Sequence, residues 1–553
     1  MRDLRSIGLL VLVLGGCAMS TAPDPSTGAA TAIPIEQFKD GVRELSSDAF
    51  EGRAPGTPGE EKTLAWLTKN FAAAGLQPGN DGSWFQDVPL VEITASGITP
   101  LTFSGGSEAL SLKPGSDMVV TTNRVTPRID VTNSPVVFVG YGITAPERGW
   151  DDYAGVDVKG KSVVILVNDP DWETQGTTGI FNGRAMTYYG RWTYKFEEAA
   201  RHGAAAALIV HQTEPAGYGW NVVESSWSGP QQVADAADGH MDATKANGWI
   251  QLDQAKRLFA SAGQDFDKLA AAAKVKGFKP VPLAGVQASV AFDNAIRKHA
   301  SKNVIGILPG TQRPDEVVLY TAHWDHLGRC GAAPDGDDIC NGAIDNATGT
   351  AALVALAKAN ADAGATPRSQ VFLAVTAEES GLLGSAYYGD NPVYPHGRTV
   401  AGVNMDALSM AGPARNVIVV GKGKSQVDGY LDRALAEQGR VATAEPTPEK
   451  GFYYRSDHFS FAKHGVPMLY FEGGDDLVRG GKTAGAAAAK AYEEGAYHGP
   501  KDEYDPNWDW TGVERDLMLY YRVGRALAET DAWPNWVEGD EFRAIRDQSR
   551  AGR

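Results

Sequence analysis

Apolar runs of strand length alternate with helical stretches along the C-terminal half of the chain. The runs predict strands at 316–323, 370–377, 399–407 and 466–474. Helical periodicity predicts helices at 346–362 and 514–530, and residues 478–490, which are low in complexity, are interpreted as a loop or a poor helix. Regular alternation of strands and helices predicts an α/β domain in which helices cover both faces of a sheet.

The N-terminal half has a different pattern. Residues 36–86 are mostly helical in pattern, with apolar positions near a helical period. From about residue 90 the apolar runs become strand-like, and residues 249–276 return to a helical pattern before a closing strand at 283–292. The length of 553 residues allows two to four domains of ordinary size, so this change of pattern indicates a second domain.

The first residues resemble an export signal. Arg2 and Arg5 precede an apolar run at 7–14, and the run ends in the sequence LGGC at Cys17. This ending resembles a bacterial lipobox, which implies cleavage before Cys17 and lipidation of its thiol; an ordinary signal peptide cut nearby is the alternative. We therefore expect an exported protein, anchored by lipid at the bacterial outer membrane or its periplasmic face. No second apolar run is long enough to cross a bilayer.

The composition is acidic. Lys and Arg number 51 against 68 Asp and Glu, which gives a formal net charge of −17. Nucleic-acid binding needs clustered basic residues, so this balance argues against it. Besides Cys17, only Cys330 and Cys340 are present, and they flank a loop of turn residues. In an oxidising compartment we expect them to form a disulfide; their spacing is not that of a redox-active pair.

Acids and histidines follow the predicted strands of the C-terminal half. These candidate residues are His323, Asp325, Asp345, Glu378, Glu379, Asp406 and, in a later turn, His498. In open α/β sheets the functional crevice lies beyond the carboxyl ends of the strands, so these side chains can converge there. Such an acidic cluster is costly unless cations neutralise it. Mixed imidazole and carboxylate ligands suit zinc, and suit manganese or cobalt less specifically.

Six motifs carry a resemblance to the M28 di-zinc exopeptidases. They read HWDHLG, NGAIDNATGTAALVALA, TAEESGLLGS, NMDALS, YRSDHFSF and YHGPKDEYD. The resemblance covers roughly 36–90 and 296–530, and it implies a zinc exopeptidase fold, which is a mixed central sheet flanked by helices. Residues 150–172 and 197–211 resemble a protease-associated (PA) domain, so a β-rich PA-like insertion is expected.

The resemblance also implies domain boundaries. The expected segments are a lipoprotein signal peptide (1–17), a flexible tether (18–35), the first part of the peptidase domain (36–90), a PA-like insertion (91–295), the catalytic domain (296–535) and a C-terminal tail (536–553). The insertion is expected to cover the cleft and limit the size of the substrate. Binding of peptides by the insertion itself is the alternative.

The family pattern assigns ligands for two zinc ions. His323 and Asp406 would hold one ion, Glu379 and His498 would hold the second, and Asp345 would bridge both. A bridging carboxylate is chemically sensible because its two oxygens can serve metals about 3.5–4 Å apart. Each ion then keeps an open position for water.

Further residues are assigned roles around these ligands. The resemblance implies that Glu378 is the general base and acid; different roles for two adjacent glutamates are reasonable, since one is neutralised by metal and the other stays free to move protons. Asp325 would accept the second imidazole N–H of His323, since positions 323 and 325 face the same side of a strand. His326 would face away from the metals.

Candidates for stabilising the reacting carbonyl are less specific. Tyr497 and Arg455 match positions that some bacterial family members use near that carbonyl. Packing of Tyr497 and a structural ion pair of Arg455 are the alternatives. Asp457 and His458 are interpreted as a buried, hydrogen-bonded pair that shapes the pocket.

The leading functional hypothesis is a metallo-aminopeptidase that removes N-terminal residues from peptides. A carboxypeptidase like glutamate carboxypeptidase II is the runner-up, but it needs basic residues around a C-terminal carboxylate, and the sequence shows no arginine cluster around Arg455. A glutaminyl-cyclase-like acyltransferase uses one zinc, and a non-catalytic binding protein would have lost ligands. The complete ligand set argues against both. The sequence gives no oligomeric state.

Overall fold

Two helices and the first strands form the N-terminal segment of the computed structural model, which describes residues 32–331, 333 and 336–551. The elements are α1 (Ile35–Leu45), α2 (Pro58–Ala73), β1 (Gln77–Pro78) and β2 (Phe85–Ser96). Proline suits the start of α2, because the N–H that it lacks would have no helical partner there. Leu67 and Phe71 of α2 are fully buried in the main apolar core. The predicted signal segment 1–17, Cys17 and most of the predicted tether lie outside the described residues.

Short strands dominate residues 91–295, which we call the middle region. The strands are β3 (Leu101–Ser104), β4 (Leu110–Leu112), β5 (Met118–Thr121), β6 (Arg128–Phe138), β7 (Thr144–Ala145), β8 (Trp150–Asp151), β9 (Ser162–Leu166), β10 (Ala206–His211), β11 (Pro230–Ala234), β12 (Ala246–Gln251) and β13 (Val281–Leu308). The helices are α3 (Trp192–Arg201), α4 (Thr213–Ala216), α5 (Trp220–Ser226), α6 (Leu252–Ser261) and α7 (Phe266–Ala273). Two apolar clusters made of middle-region residues give this part a core of its own. Its identity as a PA-like domain stays a prediction.

Strands and helices alternate through residues 296–535, which we call the peptidase region, and a last helix follows it. The strands are β14 (Arg313–His323), β15 (Gly328–Arg329), β16 (Ile339–Cys340), β17 (Arg368–Val375), β18 (Thr399–Asn404), β19 (Asn416–Val419), β20 (Val441–Ala444) and β21 (Met468–Gly473). The helices are α8 (Thr348–Asp362), α9 (Leu383–Asp390), α10 (Asp428–Glu437), α11 (His458–Lys463), α12 (Gly481–Gly495), α13 (Thr511–Glu529) and α14 (Arg543–Arg550). The predicted α/β class is confirmed.

The central sheet of the peptidase region is mixed. Its strand order is β1–β13–β17–β14–β18–β21–β19–β20. Strands β17, β14, β18 and β21 run parallel, so their carboxyl ends lie at one edge. Apolar runs such as Val317–Tyr320 are buried on both faces because helices α8 and α13 cover one side and α9 and α11 lie against the other. This edge therefore receives the polar residues that follow each strand.

Three smaller expectations have clear outcomes. Residues 478–490 are largely helical, within α12, and alanine's high helix propensity accounts for this. Cys330 and Cys340 are joined by a disulfide, with their Cα atoms 5.8 Å apart. None of the helices in the described part of the chain combines the length and the apolar character needed to cross a bilayer.

Candidate metal centre

The strand edge brings together the residues that the sequence singles out. β14 ends at His323, β17 ends shortly before Glu378 and Glu379, and β18 ends two residues before Asp406. Because these three strands are parallel neighbours, the three positions meet at one edge. Asp345 enters from the turn before α8.

His323 is the centre of one group of ligands. Its Nε2 atom lies 3.2 Å from Oδ1 of Asp406 and 3.3 Å from Oδ1 of Asp345. Oε2 of Glu378 lies farther away, at 4.0 Å. The imidazole is only 1% exposed. On its other side, Nδ1 is 3.2 Å from the backbone carbonyl of Asp325; donation to this carbonyl leaves the Nε2 lone pair free for a metal.

His498 is the centre of a second group. Its Nε2 atom lies 3.0 Å from Oε2 of Glu379 and 3.3 Å from Oδ2 of Asp345. The two oxygens of Asp345 therefore face two different imidazoles, Oδ1 towards His323 and Oδ2 towards His498. This is the arrangement expected of a carboxylate shared by two metal ions.

The spacing of these atoms fits zinc. Ligand atoms bound about 2.0–2.1 Å from a tetrahedral zinc ion lie about 3.3 Å from one another. The observed imidazole-to-carboxylate distances of 3.0–3.3 Å match that separation. His323, Asp345 and Asp406 also form a buried group whose ligand atoms all lie within 4.8 Å of one another. The donor set of two imidazoles and an excess of carboxylates therefore suits a pair of divalent cations.

The two adjacent glutamates have opposite environments. Burial raises the pKa of Glu378 well above its usual range, and the charges of Asp406 and Glu379 raise it further against the opposing effect of His323. Burial also raises the pKa of Glu379, but His498 and His326 outweigh that effect and bring it to about 2. The pKa values of the two carboxyls are therefore shifted in opposite directions, and a raised pKa makes Glu378 the better proton acceptor of the two.

The contacts of Asp325 differ from the prediction. Its Oδ1 atom is 3.8 Å from Nδ1 of His323, too far for a hydrogen bond. The carboxylate instead accepts the backbone N–H groups of Glu378, at 3.1 Å, and Glu379, at 3.4 Å. The expectation of strand alternation was wrong because β14 ends at His323, so Asp325 lies outside the strand. Asp325 thus orients both glutamates through their backbone.

The prediction that His326 faces away was also wrong, for the same reason. Its Nδ1 atom lies 2.5 Å from Oε1 of Glu379, and the ring is 1% exposed. Glu379 is therefore held between two imidazoles, with Oε1 towards His326 and Oε2 towards His498. His326, Glu379 and Asp345 form a close group whose ligand atoms all lie within 4.8 Å of one another, so His326 supports the ligand Glu379 beside the shared carboxylate.

Tyr497 lies at the metal centre, whereas Arg455 contacts the middle region. The Tyr497 ring stacks on the His498 imidazole, with ring centres 3.9 Å apart. Tyr497 is 37% exposed to solvent. Nη2 of Arg455 donates to the Ala216 carbonyl at 3.1 Å, and its guanidinium lies over the Tyr218 ring. The alternative of a structural ion pair for Arg455 is wrong, because no acid of the described chain pairs with it.

The predicted hydrogen bond between Asp457 and His458 is absent. Both side chains are fully buried, and no hydrogen bond joins the two in the described part of the chain. The His458 ring packs against Tyr453 and Tyr470, with ring centres 4.9 and 5.0 Å away. His458 is therefore part of an aromatic cluster next to β21.

Sequence reasoning missed Asp502. This buried acid lies four residues after His498, in the motif YHGPKDEYD. Its carboxylate accepts the backbone N–H groups of Ile344, at 2.9 Å, and Asp345, at 3.0 Å, and the Tyr492 hydroxyl, at 3.1 Å. Asp502 therefore fixes the backbone that presents the shared carboxylate. Its position within the motif YHGPKDEYD is the sequence signal that could have identified it.

Sequence reasoning also missed Arg53, which is fully buried. Its guanidinium donates to the carbonyls of Trp324, at 3.0 Å, Asn341, at 2.6 Å, and Gly342, at 2.9 Å. It also donates to the Leu45 carbonyl at 2.8 Å. Arg53 thus joins the N-terminal segment to the two loops that carry His323 and Asp345. No local pattern in the sequence marks such a long-range role.

Left-handed backbone occurs at three non-glycine residues of the site. Ala377, Ala407 and His498 have φ values of 52°, 49° and 54°. Such conformations cost about 1–3 kcal/mol each and persist only where surrounding contacts impose them. Ala377 precedes Glu378 and Ala407 follows Asp406, so strained backbone lies directly beside these two side chains.

Comparisons with known proteins agree with this geometry. The sequence model of peptidase family M28 matches residues 303–521. The structure of an aminopeptidase from Aneurinibacillus sp. strain AM-1 is similar, with a TM-score of 0.53 and 19% identity over 91% of this chain and 96% of that one. This likeness shows a shared fold.

Curated relatives match shorter parts of the chain. Aminopeptidase NAALADL1 of Mus musculus is 30% identical over 138 residues, 24% of this chain and 17% of the relative. Leucine aminopeptidase 2 of Arthroderma otae is 28% identical over 240 residues, 38% of this chain and 42% of the relative. The chain spans less than half the length of these relatives. The match to the sequence model of peptidase family M28 covers residues 303–521, which include His323, Asp345, Glu379, Asp406 and His498.

Proposed function

We propose that this protein is a zinc-dependent aminopeptidase that hydrolyses N-terminal residues from peptides. The observation that supports it most directly is the position of Asp345, whose two oxygens each lie 3.3 Å from a different imidazole Nε2. A carboxylate shared in this way serves two metal ions. The relatives named aminopeptidase are consistent with this activity.

Five side chains would hold the metals. His323 and Asp406 suit one zinc ion, Glu379 and His498 suit the second, and Asp345 suits both. When bound, the two ions supply Lewis-acid polarisation of the scissile carbonyl and lower the pKa of a bound water.

Glu378 carries the proton from the attacking water to the leaving amine. Its Oε2 atom lies 4.0 Å from Nε2 of His323, farther than the nearest oxygens of Asp345 and Asp406. Its backbone N–H donates to the Asp325 carboxylate, which fixes the position from which the side chain extends. Glu378 accepts a proton from the attacking water and passes it to the leaving amine. Tyr497, held against His498 by stacking, is placed to donate its hydroxyl hydrogen to the carbonyl oxygen as charge develops.

An aminopeptidase must also recognise a free α-amine. Glu378, Glu379, Asp345 and Asp406 form an excess of carboxylates at the strand edge, which attracts an ammonium group once metals neutralise part of the charge. The substrate class is therefore peptides with an unblocked N-terminus. A single-zinc acyltransferase does not use a second imidazole and a shared carboxylate, so the arrangement disfavours that alternative.

The cellular setting follows from the N-terminal sequence. We propose that the protein is exported and anchored by lipid at Cys17, on the outer membrane or its periplasmic face. Replacement of Cys17 by Ser should then release the protein from the membrane fraction after cell breakage. Continued membrane association of the Cys17→Ser protein would contradict the anchor.

The test of the mechanism compares two adjacent residues. Glu378→Gln should keep two zinc ions per chain and lose about 10³-fold or more in kcat on leucyl p-nitroanilide, because only the proton carrier is removed. Glu379→Gln should lose zinc as well as activity, because it removes a ligand. Zinc is measured by mass spectrometry of the purified protein. Turnover of Glu378→Gln near the wild-type value would remove Glu378 from this role.

A further inference from the structure

Strand β21 carries an acid near its end, in the same row of residues as the first metal ligand. β18 lies between β14 and β21, and all three strands are parallel. Tyr470 of β21 is the register partner of Asn404, which is in turn the partner of Thr321. Two residues farther along, β14 ends at His323 and β21 carries Glu472. Because neighbouring strands lie about 4.8 Å apart, this row places Glu472 two strand spacings from His323.

Glu472 and His323 also share a face of the sheet. Met468 packs with Leu319 in the apolar cluster on one face, whereas the alternate residues of β21 pack in the main core on the other face. Residues two apart on a strand point to the same side, so His323 and Glu472 both lie on the face of Leu319 and Met468. Asp406, which follows the strand between them, contacts His323 at 3.2 Å. Glu472 therefore adjoins the metal centre on the side of Asp406.

The carboxylate of Glu472 is fixed in place but has no cationic partner. The Tyr470 hydroxyl donates to its Oε1 atom at 3.2 Å. Tyr470 is only 5% exposed, and its ring centre lies 5.0 Å from that of His458. No Lys, Arg or His of the described chain forms an ion pair with Glu472. The residue is half-buried, and it belongs to none of the groups of close ligand atoms that could hold a metal.

This position favours a positively charged ligand. A half-buried carboxylate without a cation is costly, and the metal ions do not neutralise Glu472 directly because it is not one of their ligands. In an aminopeptidase, the N-terminal residue of the substrate lies nearest the metals, since its carbonyl is attacked. A lysine or arginine side chain on that residue has a flexible stem long enough to extend past Asp406.

We propose that Glu472 is a specificity-determining residue that binds the charged end of a basic side chain on the N-terminal residue of the substrate. The inference rests on the proposed aminopeptidase function and adds a substrate class, which is peptides that begin with lysine or arginine. An apolar side chain of equal length forms no charge-assisted hydrogen bond with the carboxylate, so Glu472 distinguishes the two. The α-ammonium group is common to all substrates, so a comparison of side chains separates it from this role.

Matched substrates measure the preference. Lysyl p-nitroanilide is compared with norleucyl p-nitroanilide, which has a side chain of similar length without the ammonium group. Arginyl and citrullyl p-nitroanilides form a second pair that differs in charge at nearly equal size. We expect kcat/KM of the zinc-loaded protein to be about tenfold higher for the charged member of each pair, as one charged hydrogen-bonded contact provides.

Variants assign the preference to Glu472. Glu472→Gln should bring the lysyl-to-norleucyl ratio to near one, and Glu472→Asp, which keeps the charge, should retain part of the preference. Tyr470→Phe removes the hydroxyl that holds the carboxylate and should reduce the ratio severalfold; an unchanged ratio would overturn the anchoring role of Tyr470. Glu449→Gln is the matched control, because Glu449 is also half-buried but already pairs with Arg184 at 2.5 Å. Its ratio should equal that of the wild type.

A measurement on the wild type alone avoids dependence on the folding of a variant. Lysine amide and norleucine amide are tested as competitors of leucyl p-nitroanilide hydrolysis, and lysine amide should compete about tenfold more strongly. Calorimetric binding of the same two amides to the zinc-loaded protein gives the comparison without turnover. Equal binding of the two amides would overturn the proposal.

The outcomes distinguish this preference from the peptidase function. Hydrolysis of both members of each pair with ratios within about twofold of one overturns the role of Glu472 and leaves the aminopeptidase. A lysyl-to-norleucyl ratio that persists in Glu472→Gln also overturns it, including the case in which both rates fall equally because Glu472 binds the α-ammonium group. Tighter binding of lysine amide without hydrolysis of any p-nitroanilide supports the role of Glu472 and refutes the peptidase.

Discussion

Arg53 offers a sharp test of how the metal centre is supported. Replacement by lysine keeps a positive charge but substitutes one ammonium group for a planar fork. The guanidinium makes four hydrogen bonds to carbonyls, which belong to Leu45, Trp324, Asn341 and Gly342. An ammonium group has three N–H donors on a single nitrogen, so it cannot reach acceptors that are spread around the fork.

The magnitude follows from the carbonyls that are left without a donor. One or two unsatisfied buried groups, at about 1–3 kcal/mol each, predict a loss of about 1–6 kcal/mol in the free energy of unfolding. Three of the four carbonyls belong to the loops that carry His323 and Asp345. We therefore expect the zinc affinity of Arg53→Lys to fall about 10–100-fold, as it does when groups that orient metal ligands are changed.

The control is Arg368→Lys. Arg368 is also fully buried, and it donates to the carbonyls of Leu527 and Ala532 at the opposite end of β17. Urea unfolding of the metal-free proteins and zinc competition with a chromogenic chelator measure the two effects. Both variants should lose stability, but only Arg53→Lys should lose zinc affinity. Equal zinc affinity in the two variants would show that Arg53 supports the fold alone.

Three further predictions concern metal, support and pH. Chelator treatment should abolish hydrolysis of leucyl p-nitroanilide, and added zinc should restore it; activity that survives complete metal removal would contradict the mechanism. Asp502→Asn should weaken zinc binding about 10–100-fold in the chelator competition, because one backbone N–H beside Asp345 loses its acceptor; unchanged affinity would refute that role. Burial raises the pKa of Asp152 to about 7, so this carboxyl contributes stability that is lost as pH rises from about 4 through 7. Asp152→Asn should remove up to about 1.4 kcal/mol per pH unit of that dependence in urea unfolding between pH 5 and 7, and an unchanged slope would refute it.

Parts of the site that depend on short-range pattern are predictable from the sequence. Acids directly after apolar runs, such as Asp406, indicate the strand edge without any knowledge of the fold. The resemblance to family M28 adds the expectation that Asp345 is the carboxylate shared by two metal ions. The geometry agrees, because its two oxygens face two different imidazoles. Asp325 shows the limit, because strand alternation applies only as far as the strand, and the end of β14 is set by its neighbours.

Long-range partners are not visible in the sequence. Arg53 acts on residues more than 250 positions away, and Arg455 meets the Ala216 carbonyl only because the middle region packs against the loop near residue 450. Such pairings depend on tertiary packing, and composition or periodicity carries no trace of them.

Strand β13 has a mechanical consequence. It is one continuous strand of 28 residues, and from Asp293 to Val304 it pairs with β2 without interruption, while its last residues pair with β17 in the central sheet. A hinge motion of the middle region away from the peptidase region would have to break the backbone hydrogen bonds between β13 and β2. The continuous strand therefore couples any movement of the middle region to the central sheet that carries His323 and Glu378.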